Sequence, residues 1–455
     1  MIQKKIIPAV ILLQTFLPMT GSESTKPKKV KSPNFILILT DDQSWVGTSF
    51  LSDPNDPRSK SDYYRTPNME RIATAGMRFS NGYAPAPYCC PTRRSITIGQ
   101  TPAKHEYQQD REGWPQAYRK QLSIPQMLKI ANPDYQTAHF GKWDARYDEV
   151  TPEEMGYDIS DGPTTNGTGG GKNSEWPIAM EDPKLIFSLT DRACNFIEKQ
   201  VTDNKPFYLQ LSHYAVHLGI TYTQSALDKY KNVKPGEKHF IPEFGAMTED
   251  LDTGIGILLD KIEELDLMNN TYIIFMSDNG GRKSQPIGEE QVVARNLPLR
   301  DGKGSMYEGG IRVPFVVAGP DIPKNSSSDV PVTGLDILPT LAELSGYSPE
   351  LPEAIDGGSL GSIFHNKGKG DVIRNNPFLV FHQAVDRKPQ SAIRKGEYKL
   401  VKNWADNQIE LFDLSTDIGE ENDLSQISPE IAAELDRELT TFLQQAGAET
   451  REIRR

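Results

Sequence analysis

Cysteine is scarce in this chain of 455 residues, and two of its three cysteines stand side by side in Cys89-Cys90-Pro91-Thr92-Arg93, with Gly99 closing the segment. A disulfide between neighbours is badly strained, so at most one loop could be stapled, to Cys194. The N-terminus has Lys4 and Lys5, an apolar run from Ile6 to Met19, then Thr20, Gly21 and Ser22. That order is the pattern of a signal peptide over residues 1–22. Secreted chains usually spend cysteine on disulfide frameworks. Here the pair reads as kept for chemistry, against the plainer alternative of a buried cysteine pair opening a helix.

Other reactive side chains fall just past apolar runs. Asp41 and Asp42 follow Asn34–Thr40, Lys142 follows Tyr135–Phe140, His217 follows Pro206–Ser212, and Asp278 and Asn279 follow Tyr272–Ser277. In an open α/β sheet, ligands bind beyond the carboxyl ends of the strands. Asp41, Asp42, Asp278 and Asn279 all offer oxygen, with no clustered histidine or cysteine beside them. Such a set suits a hard divalent cation, calcium or magnesium rather than zinc. Taken singly, Asp41-Asp42 also reads as a helix cap with a charged first turn, and Asp278-Asn279-Gly280-Gly281 as a turn.

The elements that would position these groups alternate between short apolar strands and amphipathic helices, the pattern of βαβ units. The predicted fold is α/β, a large mixed, mostly parallel sheet sandwiched by helices, over residues 23–350. Val313–Ala318 is a further strand. Met247, Leu251, Ile255, Leu258, Leu259 and Ile262 recur at helical spacing, predicting a helix from Phe244 to Asp266 with that face in the core. A second helix is expected over Leu335–Ser345. Residues 348–361, rich in glycine and proline, read as a linker to a smaller C-terminal domain over 351–455. There the strands Pro377–His382, Ser391–Ile393, Tyr398–Lys402 and Ile409–Leu414 make an antiparallel sheet, followed by a helix from Pro429 to Gln445. The glycine-rich run Asn166–Lys172 lacks a strand before it and a helix after it, so it reads as a flexible surface loop. The formal net charge of −12 argues against nucleic-acid binding. No second run of about twenty apolar residues exists to span a membrane.

The Cys89–Arg93 segment resembles the signature of the formylglycine-dependent (type I) sulfatases of the alkaline-phosphatase superfamily. Pro91, Arg93 and Gly99 match, while Thr92 and Ile98 replace commoner residues of similar size. Asp41-Asp42, Gly141-Lys142-Trp143, His217, Ser277-Asp278-Asn279-Gly280, Lys303 and Glu308-Gly309-Gly310-Ile311-Arg312-Val313-Pro314 match further family motifs in order, from about Pro33 to Leu424. The resemblance implies that Cys89 is oxidised to formylglycine by a sulfatase-maturation enzyme. It also implies a calcium ion, or less readily magnesium, held by Asp41, Asp42, the modified Cys89, Asp278 and Asn279. One hydroxyl of the hydrated aldehyde would attack sulfur and the other would then expel sulfate. Lys142, Lys303 and Arg93 would neutralise the sulfate ester, and His217 or Lys303 would protonate the departing oxygen.

One motif departs. The family continues Gly-Lys-Trp-His, and here the fourth position is Asp144. An aspartate there serves as a proton acceptor or as a substrate contact, and His139, on the preceding strand, is the candidate substitute. The expected substrate is a sulfated polysaccharide or oligosaccharide met outside the cell or in the periplasm, in a bacterium. The alternatives are a phosphonate or phosphate ester hydrolase of the same superfamily, or a catalytically silent member that binds sulfated glycans.

Overall fold

Uninterrupted apolar runs such as Phe35-Ile36-Leu37-Ile38-Leu39 signal strands covered on both faces, and they form the centre of one large sheet. The computed structural model describes residues 1, 32–105, 113–145, 150–169, 177–283, 295–383 and 389–450. The signal-peptide pattern, and the glycine-rich run beyond residue 169, lie outside the described residues. The sheet has eight strands: β1 (Asn34–Thr40), β2 (Gly76–Phe79), β3 (Gln136–Gly141), β4 (Ile159–Ser160), β5 (Phe207–Ser212), β6 (Thr271–Ser277), β7 (Phe315–Ala318) and β8 (Ser326–Ser328). Their spatial order is β8-β2-β7-β6-β1-β5-β3-β4.

All pairings are parallel except the two made by β7, which runs against β6 and β2. The strand predicted at Val313–Ala318 thus begins two residues later and is the one reversed member. The four strands expected to carry reactive residues, β3, β5, β1 and β6, are consecutive, so their carboxyl ends share one edge. Alternation along β1 splits the core in two. Ile36 and Ile38 face the helices Pro67–Ala75 (α1), Ile186–Thr202 (α3) and Pro242–Glu264 (α4), while Phe35, Leu37 and Leu39 face Cys89–Ile98 (α2) and Ile337–Ser345 (α5).

The C-terminal strands Leu379–Gln383, Gln390–Lys395, Tyr398–Asn403 and Ile409–Asp413 form the expected antiparallel sheet in sequence order. Its faces again follow the period of two. Val380, Ile393, Leu400 and Leu411 pack on the helix Pro429–Gln445 (α6), whereas Phe381, Ala392, Val401 and Phe412 pack with Tyr83, Met306 and Ile311 of the larger part. The segment read as a linker is tightly held. Ile355 lies in the core beside α5, and the backbone N–H groups of Asp356 and Gly357 donate to Gly99 O at 2.9 and 3.4 Å. Ser32–Arg455 accordingly cluster as one unit.

Candidate active site

Cys89 opens α2, with Tyr88 as the extended residue before it, and Arg93 lies one helical turn further on the same face. The helix ends at Gly99, whose φ of 67° is left-handed and whose N–H donates to Ser95 O at 2.8 Å. The closing glycine of the motif is therefore a helix stop. The N-terminus of α2 points Cys89 at the edge where β1, β3, β5 and β6 end.

Asp41, Asp42, Cys89 and Asp278 meet there, all buried, with one ligand atom from each lying within 4.8 Å of the others. Cys89 Sγ is 3.4 Å from Asp41 Oδ1 and 4.0 Å from Asp42 Oδ1. Lys303 Nζ donates to Asp42 Oδ1 at 2.5 Å and to Cys89 Sγ at 3.2 Å. Lys142 Nζ reaches Asp41 Oδ2 at 2.6 Å. Arg93 donates through Nε and Nη2 to Asp278 Oδ2 at 2.9 and 2.7 Å, and through Nη1 to Lys142 O at 2.7 Å. Asn279 Nδ2 donates to Asp42 Oδ1 at 2.8 Å.

Three buried carboxylates so close together repel, and the cations answer only part of that. Burial alone would raise the Asp41 carboxyl, yet Lys142, His217, Arg93 and Lys303 hold it well below the usual range. Burial and the neighbouring Asp41 push Asp278 up to about 6. Burial, with Asp278 and Asp41, keeps the Cys89 thiol well above its ordinary value, so the unmodified side chain is a poor nucleophile. Asp42 Oδ2 and Asn279 Oδ1 are buried without a hydrogen-bond partner. Orphaned oxygens beside clustered carboxylates are what a hard cation would satisfy; the residues present fit such an ion.

His217 Nδ1 lies 2.7 Å from Leu218 O, and a carbonyl only accepts, so Nδ1 carries the proton and Nε2 faces the cluster, 3.8 Å from Asp42 Oδ2. Burial lowers its pKa. Asp144 joins the site with Oδ2 3.4 Å from Lys142 Nζ. His139 does not. It sits inside the sheet, its ring edge-on to Trp143 and Tyr157 and its Nε2 3.2 Å from Ser212 Oγ, and burial takes it down to about 3.

Residues 33–347, which carry this centre, match the sulfatase family model, and residues 301–447 match the C-terminal model of N-sulphoglucosamine sulphohydrolase. The chain belongs to the sulfatase family. It is a sulfuric ester hydrolase. A sulfatase of Formosa agariphila is 27% identical over 98% of this chain and 95% of the relative. An ulvan-active sulfatase of the same organism is 26% identical over 94% and 84%. Among solved structures, Ps i-CgsB in complex with k-i-k-neocarrahexaose superposes with a TM-score of 0.73 at 25% identity, covering 92% of this chain and 95% of that one.

Two parts of this sulfatase site left no clear trace in the sequence. Thr164 straps the lysine turn, accepting from Trp143 N at 2.9 Å through its hydroxyl and from Asp144 N at 2.8 Å through its carbonyl. Lys184 is buried with a left-handed φ of 52° and donates to Leu218 O at 3.1 Å, the same carbonyl that fixes the His217 ring. Burial brings its pKa down to about 8. Neither residue stands at a strand end, and the only sequence hint was a lysine in an otherwise helix-opening segment.

Proposed function

We propose that the chain is a secreted or periplasmic bacterial sulfatase that hydrolyses sulfate esters of sulfated polysaccharides or oligosaccharides, through a formylglycine hydrate made from Cys89 and a bound calcium ion. The observation that carries this reading is Cys89 itself, buried at a helix start within 3.4 Å of Asp41 and 3.2 Å of Lys303. The relatives active on ulvan and bound to neocarrahexaose support a carbohydrate substrate. In this reading residues 1–22 are removed, 23–350 form the catalytic domain, 351–455 form the smaller domain, and a maturation enzyme oxidises Cys89.

Asp41, Asp42, the modified Cys89, Asp278 and Asn279 would hold the ion, which would supply positive charge, and an aldehyde hydrate at Cys89 would supply a hydroxyl nucleophile. Lys142, Lys303 and Arg93 surround the sulfate ester with positive charge in a water-poor site, where such charge counts most. Asp41 Oδ1, 3.4 Å from Cys89 Sγ, is the acceptor placed to take a proton from a hydroxyl at that position. Arg93 holds Asp278 and the Lys142 carbonyl in register. Lys303, an ammonium 3.2 Å from Cys89 Sγ, gives the leaving oxygen its proton, and His217, with Nδ1–H held by Leu218 O, presents Nε2 to the cluster as an acceptor.

The test is peptide mass spectrometry of protein made together with a maturation enzyme, followed by desulfation assays on defined sulfated oligosaccharides. Cys89 should carry the aldehyde and Cys90 a thiol, and Cys89→Ser should lose nearly all turnover. Exhaustive chelation should stop turnover and calcium should restore it better than magnesium. An unmodified Cys89 in fully active enzyme, or activity that survives chelation, would sink the proposal.

A further inference from the structure

A cavity of about 670 Å³ lies beside the reaction centre, and Lys303 and Tyr88, the two neighbours of Cys89, are among the residues that line it. That volume falls within the roughly 300–1,000 Å³ of small-molecule sites. Lys303 Nζ is the group next to Cys89 Sγ, and Tyr88 is the residue that precedes Cys89 at the helix start. A molecule whose ester sits at Cys89 and whose chain passes Lys303 would enter this space. The far wall comes from the C-terminal sheet and its turn, where Gln390, Asn403 and Gln408 contribute amide side chains. Amides both donate and accept, which suits the hydroxyls of a sugar ring.

The charges in the cavity are already answered. Arg300 Nη1 pairs with Glu410 Oε1 at 3.1 Å, and its guanidinium lies over the Tyr307 ring at 3.7 Å from the centroid. Lys283 Nζ is 3.6 Å from Asp301 Oδ1, and Lys303 is engaged by Asp42. A second sulfate placed here would face Glu410 and Asp301 and would have to share cations that already pair with those carboxylates.

We propose that this cavity binds uncharged sugar residues flanking the sulfated one, so that the substrate is an oligomer whose sulfated ring is bordered on this side by an unsulfated ring. The proposal rests on the sulfatase reading of Cys89 and deepens it by naming the substrate's neighbour.

The experiment uses the matured enzyme with three kinds of substrate: a sulfated monosaccharide, an oligosaccharide with the same sulfated ring flanked by a neutral ring, and its counterpart flanked by a sulfated ring. Two variants are compared with the parent. Ala405→Trp, at an exposed turn position, puts an indole into the cavity, and Gln408→Ala removes one amide. The parent should prefer the neutral-flanked oligosaccharide over both others by about tenfold or more in kcat/KM. Ala405→Trp should remove that preference, mainly through KM, and leave the monosaccharide rate within about twofold. Gln408→Ala should act the same way but less. Equal preference for the sulfated flank, or an oligosaccharide advantage untouched by Ala405→Trp, would overturn the proposal. Failure to cleave any of the three would instead overturn the sulfatase reading.

Discussion

Asp144 brings a carboxylate to a position where the matching motif carries histidine, and its surroundings define its work. Its Oδ2 lies 3.4 Å from Lys142 Nζ, whose nearer partner is Asp41 at 2.6 Å. Asp144 thus adds negative charge beside a cation already committed to a carboxylate, which suits holding a substrate hydroxyl better than taking a proton. Asp144→Asn should raise KM for a sulfated oligosaccharide by about tenfold while kcat on a small aryl sulfate stays within about twofold. Steady-state kinetics on both substrates check this, and a collapse of kcat with KM unchanged would assign Asp144 to proton transfer. At this scale the sequence pointed to Cys89, Arg93, Lys142, His217, Lys303 and the four oxygen donors, because reactive types followed strand ends or occupied a recognisable order, and the structure gathers them in one cluster. His139 was drawn in by sequence proximity alone. Strand alternation turns its ring toward Trp143 and Tyr157, away from the cluster. Lys184 and Thr164 were missed because their partners are backbone groups, and any sequence can supply those.

The turn after β3 shows how an element sets a side chain. Gly141 has a φ of 93°, and a Cβ there would sit 2.0 Å from Ser212 O, the carbonyl that also accepts Lys142 N at 2.8 Å. Gly141→Ala should cost about 1–3 kcal/mol of stability, more if the Ser212 contact cannot relax. Because the shift falls between β3 and β5, it should also move Lys142 off Asp41 and cut kcat. Thermal unfolding and steady-state kinetics measure the two effects, and an alanine variant with parental Tm and kcat would contradict this account. Strand and helix positions were largely legible in periodicity. The amphipathic pattern read as Phe244–Asp266 appears as α4, Pro242–Glu264, begun by a proline at its first turn. The reversal of β7 was not legible, since a four-residue buried strand has the same composition in either direction. The segment read as a linker is fixed by hydrogen bonds to Gly99 that its glycine and proline content does not announce.

A buried ion network ties the C-terminal sheet to the turn at Glu308 of the larger part. Lys399 Nζ reaches Glu308 Oε1 and Glu420 Oε1, each at 2.8 Å, with all three side chains fully buried. Lys399→Met would leave buried Glu420 without its cation and Glu308 with Arg312 alone, and should cost about 3–5 kcal/mol, read by denaturant unfolding. A loss below about 1 kcal/mol would show that the network relaxes. Histidine couples the same molecule to pH. Burial lowers His139, His213 and His239 to about 3 and His382 to about 4. Folded values below the unfolded value of about 6.5 mean that the unfolded chain binds these protons first. Their stabilising contribution is therefore fully present above about pH 6.5 and is lost as pH falls toward the folded values. Asp252, raised to about 6, and Glu420, raised to about 7, act in the opposite sense as pH falls. The cleanest measurement is thus a single site remote from the reaction centre. His382→Gln should flatten the dependence of unfolding free energy on pH between about 6.5 and 4 by about 1.4 kcal/mol per pH unit. An unchanged slope would refute it.

By itself the sequence determined the element types, the α/β class and the antiparallel C-terminal sheet, and it named the candidate reactive groups, because hydrophobic period and residue chemistry are local properties. Only the tertiary structure decided that β3, β5, β1 and β6 are consecutive and so deliver Lys142, His217, Asp41, Asp42, Asp278 and Asn279 to one edge. It alone set the Nδ1-protonated His217 ring against Leu218 O, kept His139 out of the cluster, and brought Gln390, Asn403 and Gln408 of the C-terminal part to a wall that includes Lys303. The physical reason is that strand order and sheet docking depend on contacts between residues hundreds of positions apart, and such contacts carry no period that a reading along the chain can detect.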